Sequence, residues 1–242
     1  MKKILIATVT ALAMSGAASA AGTQMKTPPT LVYSWTGCYL DAGGGYGMWN
    51  QSHYGFNTLT GAVTLEQTAG GRGYYGTFGG GCDYQFPVSG LGNFVIGVLG
   101  GYDIMDLKGA FTTFFSAPGV DAYEKETGSW DIGGRIGYLV TPNLLTYVSG
   151  GYTQARFSSI IFPNAVLPAN TYHGYFVGGG AETSLSPWLP PGFFLRSDYK
   201  VSTYAAADLS YTVLGVPSPL GEHMNKYVQQ IGTELIYRFN FH

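Results

Sequence analysis

Ser129-Trp130-Asp131-Ile132-Gly133-Gly134-Arg135-Ile136-Gly137-Tyr138 is the stretch that decides the fold. Its even positions read Trp, Ile, Gly, Ile, Tyr; its odd positions read Ser, Asp, Gly, Arg, Gly. A period of two is the signature of a strand with unlike faces. One face here is apolar and the other carries paired charges and glycine. Such a strand suits a wall with lipid on one side and a narrow polar interior on the other.

The same alternation recurs on both sides. Eight segments are expected as strands: Trp35 to Gly47, Arg72 to Phe86, Asn93 to Leu107, Ser129 to Val140, Leu145 to Phe157, Tyr172 to Leu185, Phe193 to Tyr204, and Tyr227 to Phe241. Leu145 to Phe157 alternates too weakly for its faces to be assigned. Short connections lie near Pro87 to Gly92, Thr141 to Leu144 and Ser186 to Gly192, each with the Pro or Gly that turns favour. Long ones cover Met48 to Gly71, Lys108 to Gly128, Ser158 to Thr171, and Ala205 to Lys226. Long and short connections in alternation describe an all-β fold: an eight-stranded antiparallel transmembrane β-barrel with periplasmic N- and C-termini.

Composition agrees. Charged residues make up 11% of the chain, against about 25% in soluble domains. Mean hydropathy is only +0.09, and no 18-residue apolar run lies beyond the N-terminus, so helical spans are excluded. A soluble β-sandwich or lipocalin-like barrel would show the same alternation. Its polar face would need more charge than this one carries. The near-neutral net charge of −2 gives no reason to expect a nucleic-acid partner. Trp35 and Trp188 fall at expected periplasmic rims, Trp49 and Trp130 at outer rims, as aromatic girdles require.

Residues 1–20 read as a signal peptide: basic Lys2 and Lys3, an apolar stretch from Ile4 to Met14, and Ala18-Ser19-Ala20 before the expected cut. No Cys stands at the cut, so a lipid anchor is not expected. Residues 21–34 form a linker holding Pro28-Pro29, and residues 35–242 form the barrel domain.

Several motifs then resemble a known family. Lys26-Thr27-Pro28-Pro29, followed by Tyr33-Ser34-Trp35-Thr36-Gly37-Cys38-Tyr39-Leu40, is similar to the start of alphaproteobacterial outer-membrane β-barrels, the immunogenic or small porin-family-like proteins. Phe78-Gly79-Gly80-Gly81, Tyr147-Val148-Ser149-Gly150-Gly151, Val177-Gly178-Gly179-Gly180 and Tyr237-Arg238-Phe239 add to the likeness. Cys38 stands where the family usually has Phe, and Asn240-Phe241-His242 extends past the usual terminal aromatic. The resemblance implies a surface-exposed, structural, antigenic outer-membrane protein of a Gram-negative cell. It implies no shared catalytic residue.

The inward charges are expected to be Asp41, Asp83, Asp103, Asp131, Arg135, Glu182, Arg196, Asp198, Lys200, Glu234 and Arg238. An eight-stranded barrel is narrow enough for side chains to fill it, so these groups either form a plugging ion-pair network or line a narrow pore. A small porin-like channel for water, ions or small solutes is therefore the alternative function. Gly43, Gly45, Gly79, Gly81, Gly97 and Gly101 would leave room for water in it. Cys38 and Cys82, the two cysteines, lie on one face near the same end of adjacent strands and are a possible disulfide in an exported protein.

His53 and His223 are expected in outer loops, but no spacing supports a metal site and no cofactor is expected. Ser202 and His223 could approach at the outer rim as a lipid-hydrolase pair, yet no acid accompanies them, and an enzyme is not expected. The glycine runs precede no Lys-Ser/Thr and are not phosphate cradles. Expected partners are outer-membrane lipid, lipopolysaccharide, and a host or extracellular ligand at the loops, for instance near Phe114-Phe115. A monomer is expected.

Overall fold

A computed structural model describes residues 34–113, 122–186 and 188–239. The stretch expected as a signal peptide, most of the expected linker, Phe114-Phe115 and the last three residues lie outside the described residues.

Eight long strands form a ring: β1 (Gly37–Asn57), β2 (Gln67–Val88), β3 (Gly92–Phe111), β4 (Ala122–Thr141), β5 (Leu144–Phe157), β8 (Asn170–Ser184), β9 (Phe193–Tyr204) and β11 (Val216–Phe239). All neighbours are antiparallel, and β1 closes on β11 from Cys38↔Phe239 to Asn57↔Leu220. Closure leaves the long strands no free edge. Both ends of the ring strands' chain, near Gly37 and Phe239, lie at the end that carries the short turns.

The strands are longer than the sequence pattern suggests. β1 runs to Asn57 and β2 starts at Gln67; β11 starts at Val216. The expected long connections are therefore largely strand. The rest of the third and fourth folds into β6 (Ile160–Ile161), β7 (Ala165–Leu167) and β10 (Ala207–Val213), which add to β11 in the order β10, β7, β6. Leu214-Gly215 closes the β10–β11 hairpin between paired Val213 and Val216. Both have positive φ, +50° and +83°, as a two-residue hairpin turn matching strand twist needs. Leu214 there is a strained choice, since side chains disfavour that region.

The faces follow the alternation. Leu40, Phe78, Val98, Ile104, Ile132, Val148, Val177 and Ile231 point outward and are exposed, making an apolar belt. β5 acquires its faces here: Leu145, Tyr147, Thr153, Ala155 and Phe157 turn in, Val148 and Tyr152 out.

Two tryptophans do not join a girdle. Trp130 and Trp188 are exposed, but Trp35 and Trp49 are fully buried inside. Trp35 donates Nε1–H to the Pro142 carbonyl at 3.1 Å and packs on Phe194. Trp49 donates to the Leu107 carbonyl at 3.0 Å. Buried donors of this kind need a partner, and each ring belongs to an apolar cluster of the interior.

Candidate functional site: the barrel interior

Every charge expected to face inward does so, and the lumen is organised in layers. At the end carrying the termini, Trp35, Tyr39, Val95, Leu139, Leu145, Phe194 and Ile236 form an apolar plug. Above it lies an arginine–carboxylate network. Glu182, with no exposed surface, accepts from Arg135, from Arg196 Nε at 2.9 Å and from Arg238 at 2.6 Å. Asp83 bridges Arg135 (2.9 Å from Nε) and Arg238 (2.7 Å). Arg196 also donates to Asp41 at 3.1 Å and Glu234 at 2.7 Å. The Tyr39 ring sits among the three guanidiniums, 4.8 to 5.1 Å from each, which adds cation–π attraction in a water-poor site. Each arginine comes from a different strand, so the network ties β4, β9 and β11 across the barrel.

The next layer centres on Lys200, whose ammonium donates to Asp103 at 3.1 Å and Asp131 at 2.9 Å. Gln230 and Ser129 complete Asp103. Asp198 accepts from the Tyr147 hydroxyl at 3.3 Å. Between this node and the arginines is a cavity of about 50 Å³, bordered by Asp41, Asp131, Arg196, Asp198, Lys200 and Glu234. It has room for about one or two waters.

The glycines on the inner face do not leave an open channel. A Cβ on Gly81 would stand 2.6 Å from the Tyr39 hydroxyl. One on Gly97 would meet Asp83, and one on Gly232 would meet the Tyr75 hydroxyl. The space those residues give up is taken by side chains from neighbouring strands: Tyr39 is the direct β1 partner of Gly81, Asp83 the direct β2 partner of Gly97, and Tyr75 stands one strand beyond Gly232.

Further out, the interior becomes mainly apolar. Trp49, Tyr75, Met105, Leu107, Ala155, Phe157, Tyr172, Tyr204 and Val228 form a second cluster. Lys226 is buried within it. Its ammonium donates to Glu124 at 2.7 Å and to Gln51, over the rings of Phe157 (4.1 Å), Tyr172 (5.0 Å) and Trp49 (5.1 Å). Glu126 is buried nearby with neither carboxyl oxygen hydrogen-bonded; burial, then the charge of Asp103, pushes its pKa up to about 8. A third cluster, Phe111, Ala122, Ile160, Phe162, Ala165, Leu167, Tyr211 and Met224, fills the outer end. Beside it, the Tyr211 hydroxyl donates to Glu222 at 3.0 Å, and burial raises that carboxyl to about 7 despite the bond.

Gln51, Glu124, Glu126, Glu222 and Lys226 were not expected in the interior. They fall in stretches that read as loops. The signal was present in β11: Glu222, Met224, Lys226, Val228 and Gln230 keep the inward period of two unbroken.

Other expectations need correction. His53 is not surface-exposed: it is buried on the inner face, stacked on Phe111, with Nε2 3.2 Å from the Thr112 carbonyl. Ser202 and His223 are not neighbours. Ser202 pairs with Val228 and faces inward, buried; His223 faces outward, stacked on Tyr54 and 2.6 Å from Asp208. Opposite parity along antiparallel partners puts them on opposite faces of the wall.

Cys38 and Cys82 are directly opposed in the β1–β2 register and bonded to each other, on the outward face.

No protein-family profile matches this chain, and no curated protein matches it. Solved structures do. Outer membrane protein AlkL, determined by solid-state NMR in lipid bilayers, is 14% identical over 96% of this chain and 99% of its own, with a TM-score of 0.50. The outer membrane protease OmpT of Escherichia coli is 13% identical over 87% and 99%, TM-score 0.42. Neisserial surface protein A is 13% identical over 84% and 98%, TM-score 0.39. At such identities the likeness is one of fold. The chain has the eight-stranded antiparallel ring of outer-membrane barrels.

Proposed function

We propose that this chain is a closed, non-enzymatic outer-membrane barrel that displays a rigid surface outside the cell. The observation that carries the reading is the stack of three apolar clusters filling one narrow lumen, with ion pairs between them. An outward apolar belt around a closed antiparallel ring suits contact with lipid. On this reading residues 1–20 are a cleaved signal peptide, residues 21–34 a periplasmic linker and residues 35–242 the barrel. The Trp35-Thr36-Gly37 motif supports membership of the alphaproteobacterial immunogenic-protein family. The Cys38–Cys82 bond suits an oxidising periplasm. The eleven inward charges act as a packed polar core rather than a conduction path.

Absence of catalysis is part of the proposal and does not come from fold likeness, since OmpT is a protease. It rests on Ser202 and His223 facing opposite sides of the wall. The pore alternative rests on the small central cavity, and conduction would require both flanking apolar clusters to open.

Two measurements test the reading. Unheated protein should migrate differently from boiled protein on a detergent gel. A Thr60→Cys variant should react with a membrane-impermeant maleimide on intact cells, and a Ser89→Cys variant should not. Labelling of Ser89→Cys alone would reverse the orientation; labelling of neither on cells, with both reactive after lysis, would remove the protein from the surface.

A further inference from the structure

Five of the barrel's cations, Arg135, Arg196, Lys200, Lys226 and Arg238, are spent inside it. The remaining four in residues 35–242 are Arg72, Lys108, Lys125 and Arg156. All four face outward, and they stand on four consecutive strands, β2, β3, β4 and β5. Arg72 is directly opposite Lys108, and Lys108 directly opposite Lys125. Neighbouring strands are about 4.8 Å apart, so like charges are forced side by side. Such pairs are destabilising unless something anionic lies over them.

The protein itself supplies little of that. Asp106 reaches Lys125 at 2.8 Å, and Lys108 rests on the Tyr123 ring at 4.2 Å. Arg72 and Arg156 make no ion pair among the described residues. The row keeps a net positive charge and is exposed to solvent.

Its position is specific. Arg72 follows Tyr74 up its strand, Lys108 follows Ile104 and Asp106, and Arg156 follows Tyr152 and Gln154. Lys125 stands past Trp130 and Gly128. The row therefore lies just beyond the last belt residues, where lipid headgroups begin. On β8, β9, β11 and β1 the outward residues near the outer end of the belt include Thr171, Thr203, Asn225 and Asn50, all uncharged. A general preference for positive charge at the rim would not be confined to one side.

We propose that Arg72, Lys108, Lys125 and Arg156 form a binding site for the phosphate groups of an anionic lipid headgroup in the outer leaflet. The proposal rests on the membrane reading above. Several cations spread over a gently curved face suit a headgroup bearing more than one phosphate. Guanidinium forks at the two ends can bind phosphate bidentately, with the lysines as point charges between them.

The test is native mass spectrometry of the folded full-length protein in neutral detergent, with lipid A, phosphatidylcholine or inorganic phosphate as separate probes. Lipid A should be retained and phosphatidylcholine should not. Retention should fall at least about tenfold in the quadruple variant Arg72→Gln/Lys108→Gln/Lys125→Gln/Arg156→Gln, and about threefold or more in Arg72→Gln or Arg156→Gln alone. With unmodified protein, lipid A retention should weaken as salt rises from about 0.05 to 0.5 M. Equal retention by wild type and quadruple variant, or indifference to salt, overturns the proposal. So does displacement of lipid A by millimolar inorganic phosphate, which would make the row a free-anion site. The detergent-gel shift separates the two readings. A protein that shifts yet ignores lipid A refutes the site alone; one that never forms a heat-sensitive barrel refutes the membrane reading and the site together.

Discussion

The belt region and the outer end of this barrel share the same eight strands, yet they are built on opposite plans. Within the belt, outward residues are apolar and the inside holds Asp83, Asp103, Arg135, Glu182, Arg196 and Arg238. Beyond Trp49 and Tyr227, the outward face gains polar residues such as Asn50, Ser52, Lys108 and Asn225 beside exposed Tyr123, Ile161 and Val216, and the inside is filled mainly by Phe111, Phe157, Phe162, Leu167 and Met224 around the buried Lys226 and Glu124. The reversal follows the solvent. A wall facing lipid must turn its polar groups inward and pair them, because an unpaired charge there costs several kcal/mol. A wall facing water gains most by burying apolar surface, at about 25 cal/mol per Å². One closed sheet serves both because side chains alternate along every strand.

The contrast is broken most severely by Glu182→Ala. That change strips Arg135, Arg196 and Arg238 of a shared buried partner, and removing one member of a buried ion pair costs about 3–5 kcal/mol. The variant should lose its heat-sensitive gel shift at markedly lower urea than wild type. If stability is unchanged, the network is not what holds the inner half. Glu182→Gln should recover only part of the loss.

Phe111→Ala tests the other plan. Truncating a fully buried Phe costs about 3 kcal/mol. Here the loss should be local: faster proteolysis near the β10–β11 hairpin, with the belt's gel shift retained. Collapse of the whole barrel at the same urea as Glu182→Ala would mean that the two regions are one cooperative unit.

A smaller effect separates the regions by pH. Glu222, beside the outer cluster, has its pKa raised by burial to about 7. Between about pH 4.5 and 7 the folded form binds the proton that the unfolded chain has released, so this group's stabilisation is complete below pH 4.5 and is lost as pH rises to 7. The outer end should therefore become more protease-sensitive from pH 5 to pH 8, by on the order of 1–3 kcal/mol. Glu222→Gln should flatten that dependence. An unchanged profile in the variant would assign the effect to other groups, Glu126 first.

How much of this was legible follows from the same contrast. Trp130, Ile132 and Ile136 against Asp131 and Arg135 could be read as a two-faced strand because lipid demands strong alternation. The outer halves of β1 and β4 could not. There, Gln51 and His53 point in while Tyr54 and Phe56 point partly out, so residue chemistry blurs the period. The partners that make such positions buried, Phe111 for His53 and the aromatic rings for Lys226, come from strands distant in sequence. The inner glycines misled for the same reason. Gly81 and Gly97 looked like open space, and only the register shows that Tyr39 and Asp83 occupy it. The outward cation row is likewise a property of register, invisible while its members lay in expected loops or at strand ends.

The most direct test of a closed lumen is single-channel conductance of the folded, signal-free protein in planar bilayers, with insertion verified. Wild type should stay silent, because apolar clusters around Trp35 and Trp49 seal both sides of the central cavity. Steady openings of the wild-type protein would contradict the account and make the Arg135 and Lys200 layers the lining of a pore.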